Sequence, residues 1–158
     1  MKKVVKKKVA PKKAAAKKLV HKIKSEYLGK VYGKQFLKLV PLAAKKLRAL
    51  RKIHPFDAIA FRGSSGAALA FPLSYLLKIP LIHVRKGASH YAGGTIEGTI
   101  SSKRYIIIDD LIDRGTTVKK IISEIKKNIG AKPVAICLYS GGTYSGTAEF
   151  EGVPLYSI

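Results

Sequence analysis

The most informative segment of the chain is Tyr105–Val118, with the sequence YIIIDDLIDRGTTV. An unbroken apolar run before two acidic residues is typical of a strand that is buried on both faces of a parallel sheet. Ligands of open α/β sheets bind beyond the carboxyl ends of the strands, which is where this strand ends. The stretch therefore predicts an α/β fold with a ligand site at Asp109 and Asp110.

The residues after the acidic pair predict a turn into the N-terminus of a helix. They are Asp113, Arg114, Gly115, Thr116 and Thr117. Unpaired backbone N–H groups and the positive end of the helix dipole bind phosphate at such a place, with hydroxyl and guanidinium groups as further donors. For a single Asp, helix capping is the simpler explanation. For the whole run, binding of a phosphorylated sugar is the better explanation. The carboxylates can accept hydrogen bonds from the sugar hydroxyls, or can contact them through Mg²⁺.

The flanking sequence alternates between strand and helix patterns, which predicts a three-layer α/β/α fold around a mostly parallel sheet. Residues 86–101 are rich in Gly, Ser and Thr and predict a long loop or a hairpin. Pro41 would suit the first turn of its helix better than the middle. Strands are predicted at 57–61, 80–84, 104–109 and 133–139, and helices at 19–30, 36–50, 65–77 and 116–129.

The charge of the chain is concentrated near its start. The 158 residues fit one domain, and 47% hydrophobic residues exclude a wholly disordered polycation. Of the net charge of +22, residues 1–52 carry +18, with 19 basic and 1 acidic side chains. We interpret 1–18 as a disordered basic tail and 19–158 as the folded domain. The lone Cys137 favours the reducing cytoplasm, and the lack of an apolar run of membrane-spanning length argues against a membrane span.

The run YIIIDDLIDRGTT resembles the phosphoribosyl-pyrophosphate (PRPP) signature of the type I phosphoribosyltransferases, and the resemblance extends over roughly 56–133. It implies a parallel core of about five strands with a small hood. It also implies transfer of ribose-5-phosphate from PRPP to a nucleobase, with release of pyrophosphate and a requirement for Mg²⁺. In relatives some pyrophosphate contacts cross a dimer interface, so we expect a homodimer.

The resemblance assigns roles to the acidic strand end. Asp109 and Asp110 would hold the ribose hydroxyls and Mg²⁺, and the loop from Asp113 to Thr117 would bind the 5-phosphate. Asp113 falls where purine-using members have an Asp that accepts the proton of the base, whereas orotate-using members tend to have Thr. Arg114 replaces a residue that is usually small, so it either adds a phosphate contact or crowds the loop.

A glycine turn after the first strand would bind pyrophosphate by resemblance. Alone, the turn could equally be an ordinary tight connection. Ser65 stands where relatives have Lys or Arg, and Arg62 is the cation that could substitute for it. The turn comprises Arg62, Gly63, Ser64, Ser65 and Gly66.

Residues 85–100, RKGASHYAGGTIEGTI, resemble the mobile catalytic loop of orotate phosphoribosyltransferases. Arg85 and Lys86 would bind pyrophosphate oxygens, although a basic pair at a strand end is often merely solvated. The loop Lys of the family corresponds to Ser89, and His90 is the titratable neighbour that could replace it in catalysis.

The sequence indicates the acceptor base only through a motif of orotate-type enzymes that it lacks. Orotate-type enzymes carry Asp-Arg after the fourth strand, where this chain has Tyr139 and Ser140, so a purine is favoured over orotate. Tyr139, Tyr144 and Phe150 could stack on a base, although aromatic residues near the end of a chain more often serve packing.

Three hypotheses follow for function. The leading one is a PRPP-dependent transferase of nucleotide salvage or biosynthesis that acts on a nucleobase. The second is a non-catalytic PRPP-sensing regulator that binds nucleic acid through residues 1–24, whose lysines would also suit a nucleic-acid-rich compartment. A PRPP-synthesising enzyme is the third and weakest hypothesis. Such chains are about two of these domains long, whereas this one has a single domain and no evident ATP site.

Overall fold

The computed structural model describes residues 31–87, 94–140 and 148–158. The predicted tail, the predicted helix at 19–30, Ser89, His90 and Tyr144 lie outside the described residues. Three helices and seven strands have their bounds in the described part. They are α1 (Gln35–Ile53), β1 (Ala58–Phe61), α2 (Gly63–Leu77), β2 (Leu81–Val84), β3 (Ile96–Gly98), β4 (Arg104–Asp109), α3 (Thr116–Asn128), β5 (Lys132–Leu138), β6 (Glu149–Phe150) and β7 (Val153–Ser157).

The strands form one sheet in the order β3-β2-β1-β4-β5-β7-β6. The five inner strands are parallel, and the edge strands β3 and β6 run antiparallel to their neighbours. The predicted α/β fold with a mostly parallel sheet is confirmed. The sheet has seven strands rather than about five, because each edge gains a short antiparallel strand.

Helices cover both faces of the sheet, so the predicted three layers are confirmed. Strand β4 contributes alternate side chains to the two apolar cores, because successive residues of a strand point to opposite faces. Ile106 and Ile108 pack with α1 and α2 in one core. Tyr105 and Ile107 pack with α3 in the other. This division explains the unbroken apolar run of the sequence.

Helix α1 continues through Pro41, which lies in its second turn rather than its first. Proline has no N–H group to bond the carbonyl of Leu37, which costs stability inside a helix. Burial offsets this cost, because Ala43, Ala44 and Leu47 are at most 1% exposed against the core. The preference of proline for the first turn is thus overridden by tertiary packing.

The predicted loop or hairpin at 86–101 contains strand β3, which pairs with β2. Gly98 has φ +107°, and a Cβ there would lie 2.2 Å from the carbonyl oxygen of Leu81. Only glycine fits so close to the neighbouring strand. The hairpin is also tied to α3, because the Thr95 hydroxyl donates to the Glu124 carboxylate.

The last two strands were not predicted from the sequence. Strand β7 extends the parallel core beside β5, and β6 pairs with it across a tight turn at Glu151 and Gly152, both with positive φ. The turn brings Phe150 back into the core, where it is 7% exposed. Within the described ranges, no helix combines the length and the hydrophobicity needed to span a membrane.

Candidate PRPP site

The candidate site lies where the sheet changes its direction of winding. Strands β1 and β4 are parallel neighbours, and the chain leaves β1 for α2 on one face and β4 for α3 on the other. The two connections therefore diverge and leave a crevice at the carboxyl ends of the strands, the usual ligand position in such sheets. A cavity of about 270 Å³ lies there, lined by Ser65 and by residues 109–118.

Asp109 is the buried centre of this cavity, with 3% of its surface exposed. The Ser65 hydroxyl donates to its Oδ1 at 2.9 Å, and the Asp110 N–H donates to the same oxygen at 3.0 Å. Burial, followed by a side-chain hydrogen bond with Asp110, raises the pKa of Asp109 from 3.8 to about 7. No cationic side chain among the described residues pairs with this carboxyl group. Its charge is therefore neutralised mainly by protonation.

The raised pKa predicts that Asp109 makes folding stability depend on pH. The folded state keeps the proton up to about pH 7 and the unfolded chain loses it near 3.8, so stability falls as pH rises between these values. The slope is about 1.4 kcal/mol per pH unit for one proton. Asp109→Asn keeps the Oδ1 acceptor and cannot ionise, so between pH 5 and 8 it should lose up to about 3 kcal/mol less than the wild type.

Urea unfolding of both proteins at pH 5 and pH 8 measures this difference. Glu149→Gln, which removes an exposed carboxylate, is the control and should follow the wild type. Parallel changes in the wild type and Asp109→Asn would show that Asp109 ionises normally in the folded protein.

The N-terminus of α3 is open toward the cavity. Gly115 is its N-cap residue with φ +73°, and among the described residues no side chain bonds the free N–H groups of the first turn. Capping by Asp110 or Asp113 is thus not what the acidic residues do. Thr116 and Thr117, with their N–H and hydroxyl groups, line the cavity beside Asp113 and Arg114. The structure brings the whole predicted 5-phosphate loop to one cavity.

Phe150 supports this loop from behind, a contact that the sequence did not indicate. A Cβ on Gly115 would lie 2.1 Å from Cζ of Phe150, so the ring packs directly on the glycine. The ammonium of Lys119 lies 5.8 Å from the centre of the same ring. Phe150 therefore serves packing in this structure. Because Phe150 is far from Gly115 in the sequence, no local pattern predicts that the two residues pack together.

The N-terminus of α2 is the second open helix end at this edge of the sheet. Arg62 is its N-cap residue, and no side chain in the described part of the chain caps the first turn. Gly63 has φ +75°, and a Cβ there would lie 3.5 Å from Cε and 3.9 Å from Nζ of Lys86. A Cβ on Gly66 would lie 2.8 Å from the carbonyl oxygen of Ile108, which holds α2 against β4. Lys86 and the glycine turn are thus together, as predicted for pyrophosphate.

Arg85 is held differently from Lys86. Its guanidinium group pairs with the Glu97 carboxylate in the β2–β3 hairpin, where His83 also approaches Glu97 at 3.3 Å. The hydrogen bond from Arg85 is the main cause of a lowered pKa at Glu97. The backbone carbonyl of Arg85 accepts from Nε of Arg62 at 3.4 Å. Glu97, to which no sequence motif assigns a role, therefore fixes one of the predicted pyrophosphate ligands.

Tyr139 and Ser140 lie at the carboxyl end of β5, next to the acidic pair. The Tyr139 hydroxyl donates to the carbonyl oxygen of Ser65 at 2.7 Å, and its side chain is buried with 3% exposed, so it packs rather than presents a face to a base. The N–H of Ser140 donates to the carbonyl oxygen of Asp110 at 2.9 Å. The Ser140 hydroxyl is buried and has no hydrogen-bond partner in the described part of the chain.

Asp109 and Asp110 are the groups that could hold Mg²⁺. Among the described residues, no cluster of three or more His, Cys, Asp or Glu side chains could bind a metal ion. Mg²⁺ is commonly held by one or two carboxylates together with substrate phosphates and water. Two adjacent carboxylates between two open helix ends fit that arrangement, in which a substrate supplies the remaining ligands.

Comparison with known proteins relates the chain to both enzymes and regulators. It is 33% identical over 107 residues to the transcriptional regulator GfcR of Methanocorpusculum labreanum, covering 65% of this chain and 52% of the relative. It is 38% identical over 119 residues to the orotate phosphoribosyltransferase of Saccharophagus degradans, covering 65% and 55%. The chain thus spans about half the length of these curated relatives. No model of a known protein family matches it.

Solved structures decide the fold. The adenine phosphoribosyltransferase of Thermoanaerobacter pseudethanolicus superposes with a TM-score of 0.58 and 20% identity over 75% of this chain and 77% of that one. This chain has the phosphoribosyltransferase fold. The resemblance noted at the PRPP signature is thereby confirmed. The cavity of this phosphoribosyltransferase fold occupies the crevice between β1 and β4 and contains the signature itself.

Proposed function

We propose that the protein transfers ribose-5-phosphate from PRPP to a nucleobase, a purine rather than orotate, with release of pyrophosphate. The observation that carries the proposal is the pairing of two helix N-termini, at Gly63 and Thr116, on either side of the Asp109–Asp110 pair, neither of them capped by a side chain that the structure describes. Each helix end suits one anion. PRPP carries two anionic groups joined through a ribose whose hydroxyls suit the carboxylates.

Each group of the site has a role in this reaction. The α3 turn holds the 5-phosphate, and the α2 turn with Arg62 and Lys86 holds the pyrophosphate. The bond between C1 of the ribose and a pyrophosphate oxygen breaks, and a nitrogen of the base bonds C1 and gives its proton to Asp113. Bound Mg²⁺ would supply positive charge for the leaving pyrophosphate. Fixed cations and N–H dipoles stabilise the same charge without reorganising.

The residues after β5 support a neutral base. An orotate carboxylate needs a cation, and relatives that use orotate have Asp-Arg where this chain has Tyr139 and Ser140. The Ser140 hydroxyl is buried and uncharged, so it cannot neutralise a carboxylate. The orotate enzymes among the relatives therefore indicate the reaction class for this chain, and not its base.

The test incubates the protein with PRPP, Mg²⁺ and one free base at a time and measures pyrophosphate release. Release is expected with a purine and not with orotate. The Asp113→Asn variant should bind PRPP in calorimetry but release pyrophosphate more slowly, since the acceptor of the base proton is missing. Release with orotate alone would contradict the choice of base.

A regulator that binds PRPP without turnover is the second candidate, and three observations favour it. Ser65, whose hydroxyl donates to Asp109, stands where relatives have a Lys or Arg for pyrophosphate, and Glu97 holds the guanidinium group of Arg85. Relatives named as transcriptional regulators match the chain as well as orotate enzymes do. PRPP binding with no pyrophosphate release from any base would select this candidate, with residues 1–24 as its proposed nucleic-acid contact.

We further propose a homodimer that forms through α2. This helix contains no charged residue in a chain of net charge +22. On its outer side Phe71 is 59% and Tyr75 84% exposed, one turn apart. Two copies can approach through an uncharged face without the repulsion that their other surfaces impose. Tyr75→Glu should shift the mass measured by light scattering from two chains to one, whereas Lys78→Glu, just beyond the helix, should not.

A further inference from the structure

Helix α1 is a row of cations without counter-charges. It has six basic residues and no acidic one. In the described part of the chain, every ion pair lies elsewhere. Three of the six cations are used for structure, because they donate to backbone carbonyls. These are Lys46 to Ser157 at 3.2 Å, Arg48 to Leu76 at 3.2 Å and Arg51 to Phe56 at 3.0 Å.

The other three, Lys38, Lys45 and Lys52, form one stripe along the outside of the helix. They recur every seven residues, so their directions drift by only about 20° per step. The buried residues of α1, centred on Leu47, lie on the opposite side. All three lysines are exposed, and in the described residues no hydrogen bond or ion pair restrains them. At a rise of about 1.5 Å per residue, the stripe is about 21 Å long.

We propose that this lysine stripe is a binding surface for duplex DNA. A duplex carries one charge per about 1.7 Å of its axis, so a row of cations of this length meets phosphates in any register. Binding would be independent of sequence, because three lysines on one helix side touch phosphates and leave the bases unread. The preceding segment cannot neutralise the stripe, since residues 1–37 contain a single acidic residue, Glu26.

A duplex fits this surface better than a single strand does. Surfaces for single strands combine cations with aromatic side chains on which bases stack. The one aromatic residue of α1 is Phe36, which is half-buried against the core on the side away from the stripe. Between the lysines the outer side presents Pro41, Leu42 and Ala49, which offer no stacking platform.

The stripe is separate from the candidate PRPP site, because the cavity at 109–118 has no lining residue on α1. Its loss would therefore leave PRPP binding intact. DNA binding by the stripe goes beyond both proposed functions, because it does not depend on turnover and places DNA on a folded helix rather than on residues 1–24.

The experiment measures binding of the full chain to a duplex of arbitrary sequence by fluorescence anisotropy over a series of salt concentrations. In the Lys38→Gln/Lys45→Gln/Lys52→Gln variant, the slope of log affinity against log salt should weaken by about 1 per lysine. Affinity at low salt should fall on the order of a hundredfold. The corresponding triple Arg variant, which keeps the charges, should bind like the wild type.

A matched control removes three exposed cations outside α1, which are Lys126 and Lys127 on α3 and Lys132 at the start of β5. This variant has the same net charge as the stripe variant and should keep most of the affinity. Equal losses in the two Gln variants would overturn the proposal, because they would show an effect of net charge alone. So would tighter binding to a single strand of equal length than to the duplex. Calorimetry with PRPP should give the same affinity for all four proteins.

Discussion

Asp109→Asn/Asp110→Asn is expected to abolish the heat of PRPP binding in calorimetry at pH 8, with affinity at least a hundredfold weaker. Hydrogen bonds to charged groups contribute about 1.5–3 kcal/mol each, and each factor of ten in affinity is about 1.4 kcal/mol. Both carboxylates face the cavity between the two helix ends. At pH 8 even Asp109, with a pKa of about 7, is ionised in the wild type.

Loss of binding in this variant is not expected to reflect unfolding. Asn at position 109 keeps the oxygen that accepts from Ser65 and from the backbone of residue 110. The control Glu149→Gln/Glu151→Gln removes two exposed carboxylates and so changes the net charge equally. Unchanged PRPP affinity in the Asp variant would contradict the assignment of the acidic pair to the ribose, and would remove the basis of both proposed functions.

Gly115→Ala should cause the largest loss of stability among single substitutions near the site. A residue with a side chain at φ +73° costs about 1–2 kcal/mol. The new Cβ would also lie 2.1 Å from Phe150, whose ring is fixed in the core. Relief of this overlap requires the ring or the loop to move, at a further cost of about 1–3 kcal/mol. Either movement disturbs the phosphate loop, so PRPP binding should weaken as well.

Gly130→Ala separates the two causes. Gly130 has φ +74°, almost the same backbone conformation, and a Cβ there would meet no atom within 4 Å. Chemical unfolding gives the free energy of unfolding of both variants. The loss at residue 130 reports backbone strain alone, and the loss at residue 115 reports backbone strain plus the overlap with Phe150. Phe150→Leu should recover part of the stability of Gly115→Ala but not of Gly130→Ala. Equal losses in the two glycine variants would show that Phe150 yields freely.

The acidic strand and its loop could be predicted from the sequence because their signal is local. The run at 105–118 contains the strand, its buried faces and the open helix end in consecutive residues, and the structure has β4 at the predicted bounds 104–109. The same holds for the glycine turn after β1. Because parallel neighbours end at one edge of the sheet, two local predictions were enough to predict a shared site.

Contacts between distant segments could not be predicted in this way. The packing of Phe150 on Gly115 and the pairing of Glu97 with Arg85 depend on how edge strands fold back. Strand β6 has two residues and β3 has three, too few to show an alternating pattern. The prediction for Pro41 was wrong for the same reason. The local preference of proline favours the first turn of a helix, but burial of α1 against the core places Pro41 in the second turn.

The short antiparallel strands at the two margins of the sheet also bear on how this protein behaves when concentrated. An unpaired strand edge is a template for adding strands from other molecules, and its danger grows with length. Here the five inner strands are flanked by edge strands of only three and two residues, and β3 contains the charged Glu97. Fibre growth by strand addition is therefore disfavoured at both margins. Aggregation on heating should then follow global unfolding, with no amyloid-dye signal from the native protein.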